Sequence, residues 1–313
     1  MRIIPAADVE TALDFDSLVE RLRQAFRRDI QVPTRHHHSL TEGAEPGPND
    51  GTLLLMPAWS SRHIGVKVAT VFPDNATRNL PAVMGSYLLL DGRSGAPLAL
   101  VDGPRLTAKR TAAASALASS YLSRPDCERL LMVGTGTLAP ELITAHAAMR
   151  PICNVLVWGR NADKAGRLAK RLDRKKFRVA PTTDLEGAVR GADIVSCATL
   201  ATEPLIHGDW LQPGQHLDLV GGFRPDMREA DDACIRRARV FVDTRAGACK
   251  EAGDIVQPLD SGVLQRDDIA ADLFDLTRGA RAGRRFYDQI TLFKSVGTAI
   301  EDLAAAELAL ERA

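Results

Sequence analysis

The stretch Leu130-Leu131-Met132-Val133-Gly134-Thr135-Gly136-Thr137-Leu138-Ala139-Pro140 decides the reading of this chain. An apolar run fit for a buried strand ends in glycines one residue apart, which let the backbone turn tightly and approach a pyrophosphate. Pro140 suits a first helical turn, because its φ is already helical and its missing N–H is not needed there. Such a helix start aims backbone N–H groups and the positive end of its dipole at an anion. Strand, G-x-G-x-x-A, helix is the order of a dinucleotide-binding Rossmann turn, whereas glycines alone would mark any tight strand-to-helix connection. Gly134, Gly136, Thr137 and Leu138 are assigned to the cofactor on this pattern.

The end of the next apolar run, Val155-Leu156-Val157-Trp158-Gly159-Arg160-Asn161, bears on which dinucleotide binds. NAD-preferring folds usually hold the ribose 2′-hydroxyl with a carboxylate here; Arg160 instead can pair bidentately with a 2′-phosphate. NADP(H) is therefore expected, with NAD(H) as the alternative. Arg160 and Asn161 join the cofactor set; the competing reading leaves Arg160 solvated and Asn161 a helix cap.

Downstream, apolar runs at 129–133, 154–158, 193–198, 216–220 and 239–242 alternate with helix-period segments, which predicts a doubly wound parallel sheet. Upstream, Leu18, Val19, Leu22, Ala25 and Phe26 recur at helical spacing, with Asp16 or Ser17 as cap. After a turn-rich stretch at 41–51 come apolar runs at 51–57, 63–72, 82–91 and 97–102, with a hairpin turn at Asp91-Gly92-Arg93-Ser94-Gly95; these read as mostly antiparallel strands. An Ala-rich helix from Thr107 joins the two regions, and the segment from Ile290 onward reads as a helix packing back on the first. The expected fold is α/β: a substrate domain of residues 1–112 with 290–313, and a Rossmann domain of 113–289.

With 313 residues, two domains are the default. The 40 basic and 40 acidic side chains leave no basic field for nucleic acid or an anionic membrane, so a small-molecule partner is expected. Five scattered cysteines, never as CxxC, read as thiols of a reducing compartment; no apolar stretch reaches membrane-span length, and Met1-Arg2-Ile3-Ile4-Pro5 lacks a signal-like core, so a cytoplasmic protein is expected. His36-His37-His38 is not taken as a metal site, since successive side chains diverge; no metal is expected.

Several segments in combination resemble the ornithine cyclodeaminase/mu-crystallin family: Gly65-Val66-Lys67 with Pro73-Asp74-Asn75; Leu106-Thr107-Ala108-Lys109-Arg110-Thr111-Ala112-Ala113; the glycine motif; Gly221-Gly222-Phe223-Arg224-Pro225-Asp226-Met227-Arg228-Glu229; and Lys294-Ser295-Val296-Gly297. The resemblance implies an N-terminal α/β domain for substrate and dimer contacts, closed by the C-terminal helix, with the Rossmann domain between, and a homodimer. It implies that Lys67 lies beside the reacting carbon, that Arg110 holds the substrate carboxylate, and that Arg35 is a further substrate-binding base, unless it is only a solvated loop residue. The chemistry suits: a planar carboxylate takes two parallel hydrogen bonds from a guanidinium, and a lysine in a dry pocket can serve acid/base duty.

In the cyclodeaminase branch an aspartate follows the glycine pair and moves protons during ring closure; here that position is Phe223, which cannot. The run Phe223 to Glu229 resembles the ketimine (delta1-pyrroline-2-carboxylate) reductase branch. Asp226 is a candidate replacement acid/base, or else caps a helix in a box with Glu229. Val220, Gly221 and Gly222 end a strand where ligands bind in open α/β sheets, and with Thr199, Ser295 and Val296 they complete the cofactor set. Asp243 and Glu251-Ala252-Gly253-Asp254 resemble a family segment near the domain junction, for packing or for catalysis. Three functions follow in order: NAD(P)H-dependent reduction of small cyclic ketimines such as pyrroline-2-carboxylate or piperideine-2-carboxylate; ornithine cyclodeamination with bound NAD; and mu-crystallin-like ligand binding.

Overall fold

The computed structural model describes residues 1–40, 51–78, 80–172 and 177–313, so ten of the eleven residues of the turn-rich stretch at 41–51 lie outside the described residues. In chain order the elements are β1 (Arg2–Ile4), α1 (Ala6–Ala12), α2 (Phe15–Arg27), β2 (His36–Leu40), β3 (Gly51–Trp59), β4 (His63–Val71), β5 (Val83–Asp91), β6 (Pro97–Asp102) and α3 (Gly103–Leu122). Then follow β7 (Arg129–Val133), α4 (Ala139–Met149), β8 (Asn154–Trp158), α5 (Ala162–Leu172), β9 (Arg178–Pro181), α6 (Leu185–Gly191), β10 (Ile194–Cys197) and β11 (His216–Leu219). The last are α7 (Asp232–Arg237), β12 (Arg239–Val242), α8 (Arg245–Glu251), α9 (Gly253–Asp260), β13 (Ala271–Asp272), α10 (Leu273–Arg278), β14 (Thr291–Lys294) and α11 (Ala299–Arg312). Two compact units result: Met1–Thr111 with Thr298–Ala313, and Ala112–Gly297.

The first unit is a six-stranded sheet in the order β1-β6-β5-β4-β3-β2, antiparallel except for the parallel β1·β6 edge. Because side chains alternate across a strand, the register sets Met56, Lys67, Tyr87 and Val101 on one face, which α11 covers. The amphipathic α2 packs on α11 through Leu18, Val19, Leu22, Ala25 and Phe26, as the spacing predicts. Its cap is Asp14, which accepts from the Ser17 N–H at 2.9 Å, not Asp16 or Ser17: buried Phe15 extends the apolar stripe one residue upstream of them. On the opposite face Ile3, Trp59, Val68 and Met84 remain 37–73% exposed.

The second unit is an all-parallel eight-stranded sheet in the order β9-β8-β7-β10-β11-β14-β12-β13. Its strands contribute Leu131, Val133, Val195, Cys197, Leu217, Leu219, Val240, Val242 and Leu292 to one apolar core, as expected where both faces of a parallel sheet are covered. The chain winds outward from β7 through β8 on one side and β10 on the other, and the crevice beyond their C-terminal ends is where ligands of such sheets bind.

The segment from Ile290 departs from expectation. Thr291–Lys294 is an interior strand between β11 and β12, and the helix starts only at Ala299, so the second unit runs to Gly297 and not to 289. Thr291, Leu292 and Phe293 favour a strand, and the Ala-rich sequence that suggested a helix follows Thr298. The short β1, β9 and β13 were not expected; their few residues carry too little periodicity to read.

Candidate functional site

In the first unit β4 delivers Lys67, α3 delivers Arg110 and the first turn of α11 delivers Glu301 and Asp302, where the helix dipole favours carboxylates. The Lys67 Nζ lies 2.9 Å from Asp302 Oδ2; the Arg110 Nε donates to Asp302 Oδ1 at 2.9 Å and its Nη1 to Glu301 Oε2 at 2.7 Å. Lys67 and Arg110 are each 5% exposed, and the two acids are fully buried. Cations so desolvated persist only when paired. Two of the five Arg110 N–H donors are engaged, leaving three.

Burial pulls the Lys67 ammonium down to about 8; Asp302 opposes this, while the Arg110 and Arg35 charges add to it. Arg35, half-buried just ahead of β2, is thus within electrostatic reach of Lys67. Burial would raise the Asp302 carboxyl, yet Arg110 and Lys67 hold it below the usual carboxylate range. Gly65 serves the same layer: a Cβ there would lie 1.8 Å from the hydroxyl oxygen of the buried Tyr87.

Asp226 is exposed and ion-paired with exposed Arg224 at 2.8 Å, which holds its carboxyl below the ordinary value. No capping box with Glu229 forms: the helix begins at Asp232 under an Asp231 cap, which accepts from Cys234 N–H at 2.9 Å, and Glu229 is fully buried. Phe223 is 43% exposed.

In the second unit Gly134 has φ +122° and a Cβ there would meet the Ala198 carbonyl at 2.5 Å, so only glycine fits. A Cβ at Gly136 would meet nothing within 4 Å. That glycine faces open space. Thr137 is exposed, Leu138 occupies the N-cap position of α4, and no side chain caps the helix. These are the conditions under which backbone N–H groups can receive a pyrophosphate, so the residues present fit a dinucleotide. Arg160 is exposed at the end of β8 and makes no ion pair among the described residues. Asn161 Oδ1 accepts from Lys164 N–H at 2.9 Å, the capping reading.

Around the neighbouring strand ends a buried clasp sets the backbone. Glu229 Oε1 accepts from the Thr199 N–H (2.7 Å) and hydroxyl (2.8 Å), and its Oε2 from Gly221 N–H (2.7 Å), tying the loop after β10 to that after β11. Asp254 Oδ1 in turn accepts from the N–H groups of Glu229 and Ala230, and Lys294 Nζ sits 3.1 Å from Asp254 Oδ2 and 3.9 Å from Glu229 Oε2. Burial raises the Glu229 carboxyl, Lys294 opposing and Asp254 adding. Buried Gly221 and Gly222 leave no room for a Cβ, which would lie 2.0 Å from the Thr199 carbonyl and 2.6 Å from Asp254 Oδ2. Val220, which precedes them, is buried, as is Ser295, whose N–H donates to the Leu219 carbonyl at 3.1 Å, and Asp243 Oδ2 accepts from the N–H groups of Val296 and Gly297 at 2.7 Å each. Asp243 and Asp254 thus have a positioning role. His36 to His38 lie on the exposed edge strand β2, and no group of three or more metal-ligating side chains occurs among the described residues.

Glu301, Asp302 and Lys294 escaped the reading of the sequence as functional groups, and Glu229 entered it only as a cap. The available signal was the placement of Glu301, Asp302 and Glu307 in a helix whose other residues from Ala299 to Ala309 are alanine, leucine and isoleucine: acids within an all-apolar helix need cations.

The ornithine cyclodeaminase/mu-crystallin family model matches residues 2–313. The chain is 41% identical over 315 residues to the Delta(1)-pyrroline-2-carboxylate reductase of Colwellia psychrerythraea, covering 100% of this chain and 99% of that protein. It is 44% identical over 285 residues to the enzyme of the same name from Paracoccus denitrificans, covering 89% and 90%. Among solved structures, Delta(1)-pyrroline-2-carboxylate reductase of Thermococcus litoralis in complex with NADH and L-proline superposes with a TM-score of 0.93 at 34% identity, over 100% of this chain and 97% of that one. With its glycine motif, buried lysine and arginine and full-length match, the chain belongs to the ornithine cyclodeaminase/mu-crystallin family.

Proposed function

We propose that this chain is an NAD(P)H-dependent reductase of small cyclic ketimines, converting pyrroline-2-carboxylate or piperideine-2-carboxylate to the cyclic amino acid. The observation that carries the reading is the buried Lys67–Arg110 pair on Asp302, which presents positive charge and spare guanidinium donors to a planar carboxylate. Arg110 grips the carboxylate and fixes the imine carbon, Arg35 adds positive charge, and Lys67, protonated below about 8, donates to the ring nitrogen or to a water beside it. A bound dihydronicotinamide supplies the hydride. The carbon of the C=N bond gains it, the nitrogen gains a proton, and no ammonia leaves. Phe223 and the Arg224-bound Asp226 offer no proton relay for ring closure, which favours reduction over cyclodeamination.

Gly134, Gly136, Thr137 and Leu138 hold the pyrophosphate, while Thr199, Val220, Gly221, Gly222, Ser295 and Val296 shape the nicotinamide end. Arg160 favours NADP(H); NADH, found in the Thermococcus litoralis complex, is the competing cofactor. The test is a spectrophotometric assay: loss of NADPH absorbance with pyrroline-2-carboxylate is expected, whereas ammonia and proline from ornithine would establish a cyclodeaminase, and neither activity would leave ligand binding.

We propose further that two copies pair through the open face of the six-stranded sheet, where Ile3, Trp59, Val68 and Met84 lie uncovered; an apolar face of this kind marks an association surface. Light scattering should return twice the chain mass. No helix among the described residues is long and apolar enough to cross a membrane. The five free cysteines support a reducing, cytoplasmic setting.

A further inference from the structure

The second unit contains another cationic concavity, of about 550 Å³, lined by Arg239, Arg245, Arg266 and Arg281 together with Cys249 and Asp267. Arg239 is the first residue of β12, and Arg266 to Ile269 lead into β13, whereas Gly134 follows the last residue of β7. Arg245 and Cys249 lie on α8 after β12, and three strands, β14, β11 and β10, separate β12 from β7, so the concavity lies at the β13 edge of the sheet, away from the glycine motif.

Its charges are poorly balanced. Asp267 is the one carboxylate in the lining; Arg245 lies near Asp272, reaches Asp275 at 3.4 Å and donates to the Ile269 carbonyl at 2.8 Å. Arg239 donates to the carbonyls of Ala282 and Gly283 at 3.1 and 2.6 Å. Arg266 and Arg281 make no ion pair among the described residues. Burial, then the charges of Arg285 and Arg281, pull the Arg239 guanidinium below its ordinary range. An oxyanion would relieve that repulsion and accept the free N–H groups in the bidentate manner guanidiniums favour.

We propose that this concavity binds a small oxyanion carrying two or more negative charges, such as a diphosphate or a tricarboxylate. Its enclosure on one edge, in a chain with no net charge, suits a compact polyanion and not a nucleic-acid backbone, which calls for an extended basic surface.

The test is calorimetric titration of the full chain with inorganic pyrophosphate, the dinucleotide site being kept saturated with NADH. Saturable binding is expected, weakened at least about tenfold in Arg266→Ala/Arg281→Ala and displaced by citrate but not by acetate. Both arginines are exposed, so the double variant should keep the wild-type melting temperature. Arg160→Ala, which alters only the dinucleotide end, should bind pyrophosphate as the wild type does. Absence of saturable binding, or equal affinity in the wild type and the double variant, overturns the proposal, as does loss of binding in Arg160→Ala alone.

Discussion

Each unit of this chain seals a cluster of charges inside it, and the two clusters differ in balance: the first pairs its charges evenly, the second is short of a cation. In the first, Lys67 and Arg110 face Asp302 and Glu301, two cations for two carboxylates. In the second, Glu229 and Asp254 face Lys294 alone. Three of the four carboxylate oxygens of that second cluster accept from the N–H groups of Thr199, Gly221, Glu229 and Ala230 and from the Thr199 hydroxyl, while Asp254 Oδ2 meets the Lys294 ammonium as an ion pair at 3.1 Å. The first retains guanidinium donors, since only two of the five on Arg110 are engaged. Under the proposed function, burial of charge serves two ends here, to present a cation to an anionic substrate and to fix loops by holding their backbone N–H groups.

Breaking the first cluster should give the largest effect. Arg110→Ala removes the carboxylate grip and leaves Asp302 and Glu301 short of a counter-ion, so kcat/KM for pyrroline-2-carboxylate should fall by about 3–5 kcal/mol, on the order of a hundred- to several-thousandfold, chiefly through KM. Unchanged steady-state kinetics would sink the role given to Arg110. Breaking the clasp should register first as stability: Glu229→Ala leaves buried N–H groups unpaired and should cost about 3 kcal/mol in chemical denaturation. A denaturation midpoint equal to the wild type would show that the loops hold without it.

The pH dependence sharpens the contrast. Activity that needs protonated Lys67 should fall as pH rises through about 8, and Lys67→Arg should move that limb upward. Stability moves the other way. An unfolded lysine keeps its proton to about 10.4, so between about 8 and that value the unfolded chain binds more protons, and this group's contribution to stability rises with pH. An activity limb that stays put in Lys67→Arg would assign the titration to another group. The smallest effect belongs to the cofactor end: Arg160→Ala should raise KM for NADPH roughly tenfold and leave that for NADH nearly unchanged. Equal changes for both cofactors would remove Arg160 from phosphate recognition.

Local sequence exposed the glycine turn because each of its requirements is local: a positive φ at Gly134, open space at Gly136 and a proline that starts α4. Likewise α2 was legible from its apolar stripe, and Lys67 from its apolar strand. Asp226 was not, because the motif could not show that Arg224 takes its carboxylate while Glu229 turns inward. Nor was β14: four residues inserted between β11 and β12 carry no mark of the neighbours they will pair with.

The sequence by itself determined the elements and their chemistry, since turn geometry, capping and periodicity depend on residues within a few positions of one another. Only the tertiary structure decided the pairings. Asp302 meets Lys67 and Arg110 across separations of about 190 residues and more, and Glu229 joins Thr199 to Gly221 under Asp254 and Lys294. A buried charge takes its partner from whatever the fold brings within hydrogen-bond reach, and burial itself, which makes that partner necessary, exists only once the chain has packed.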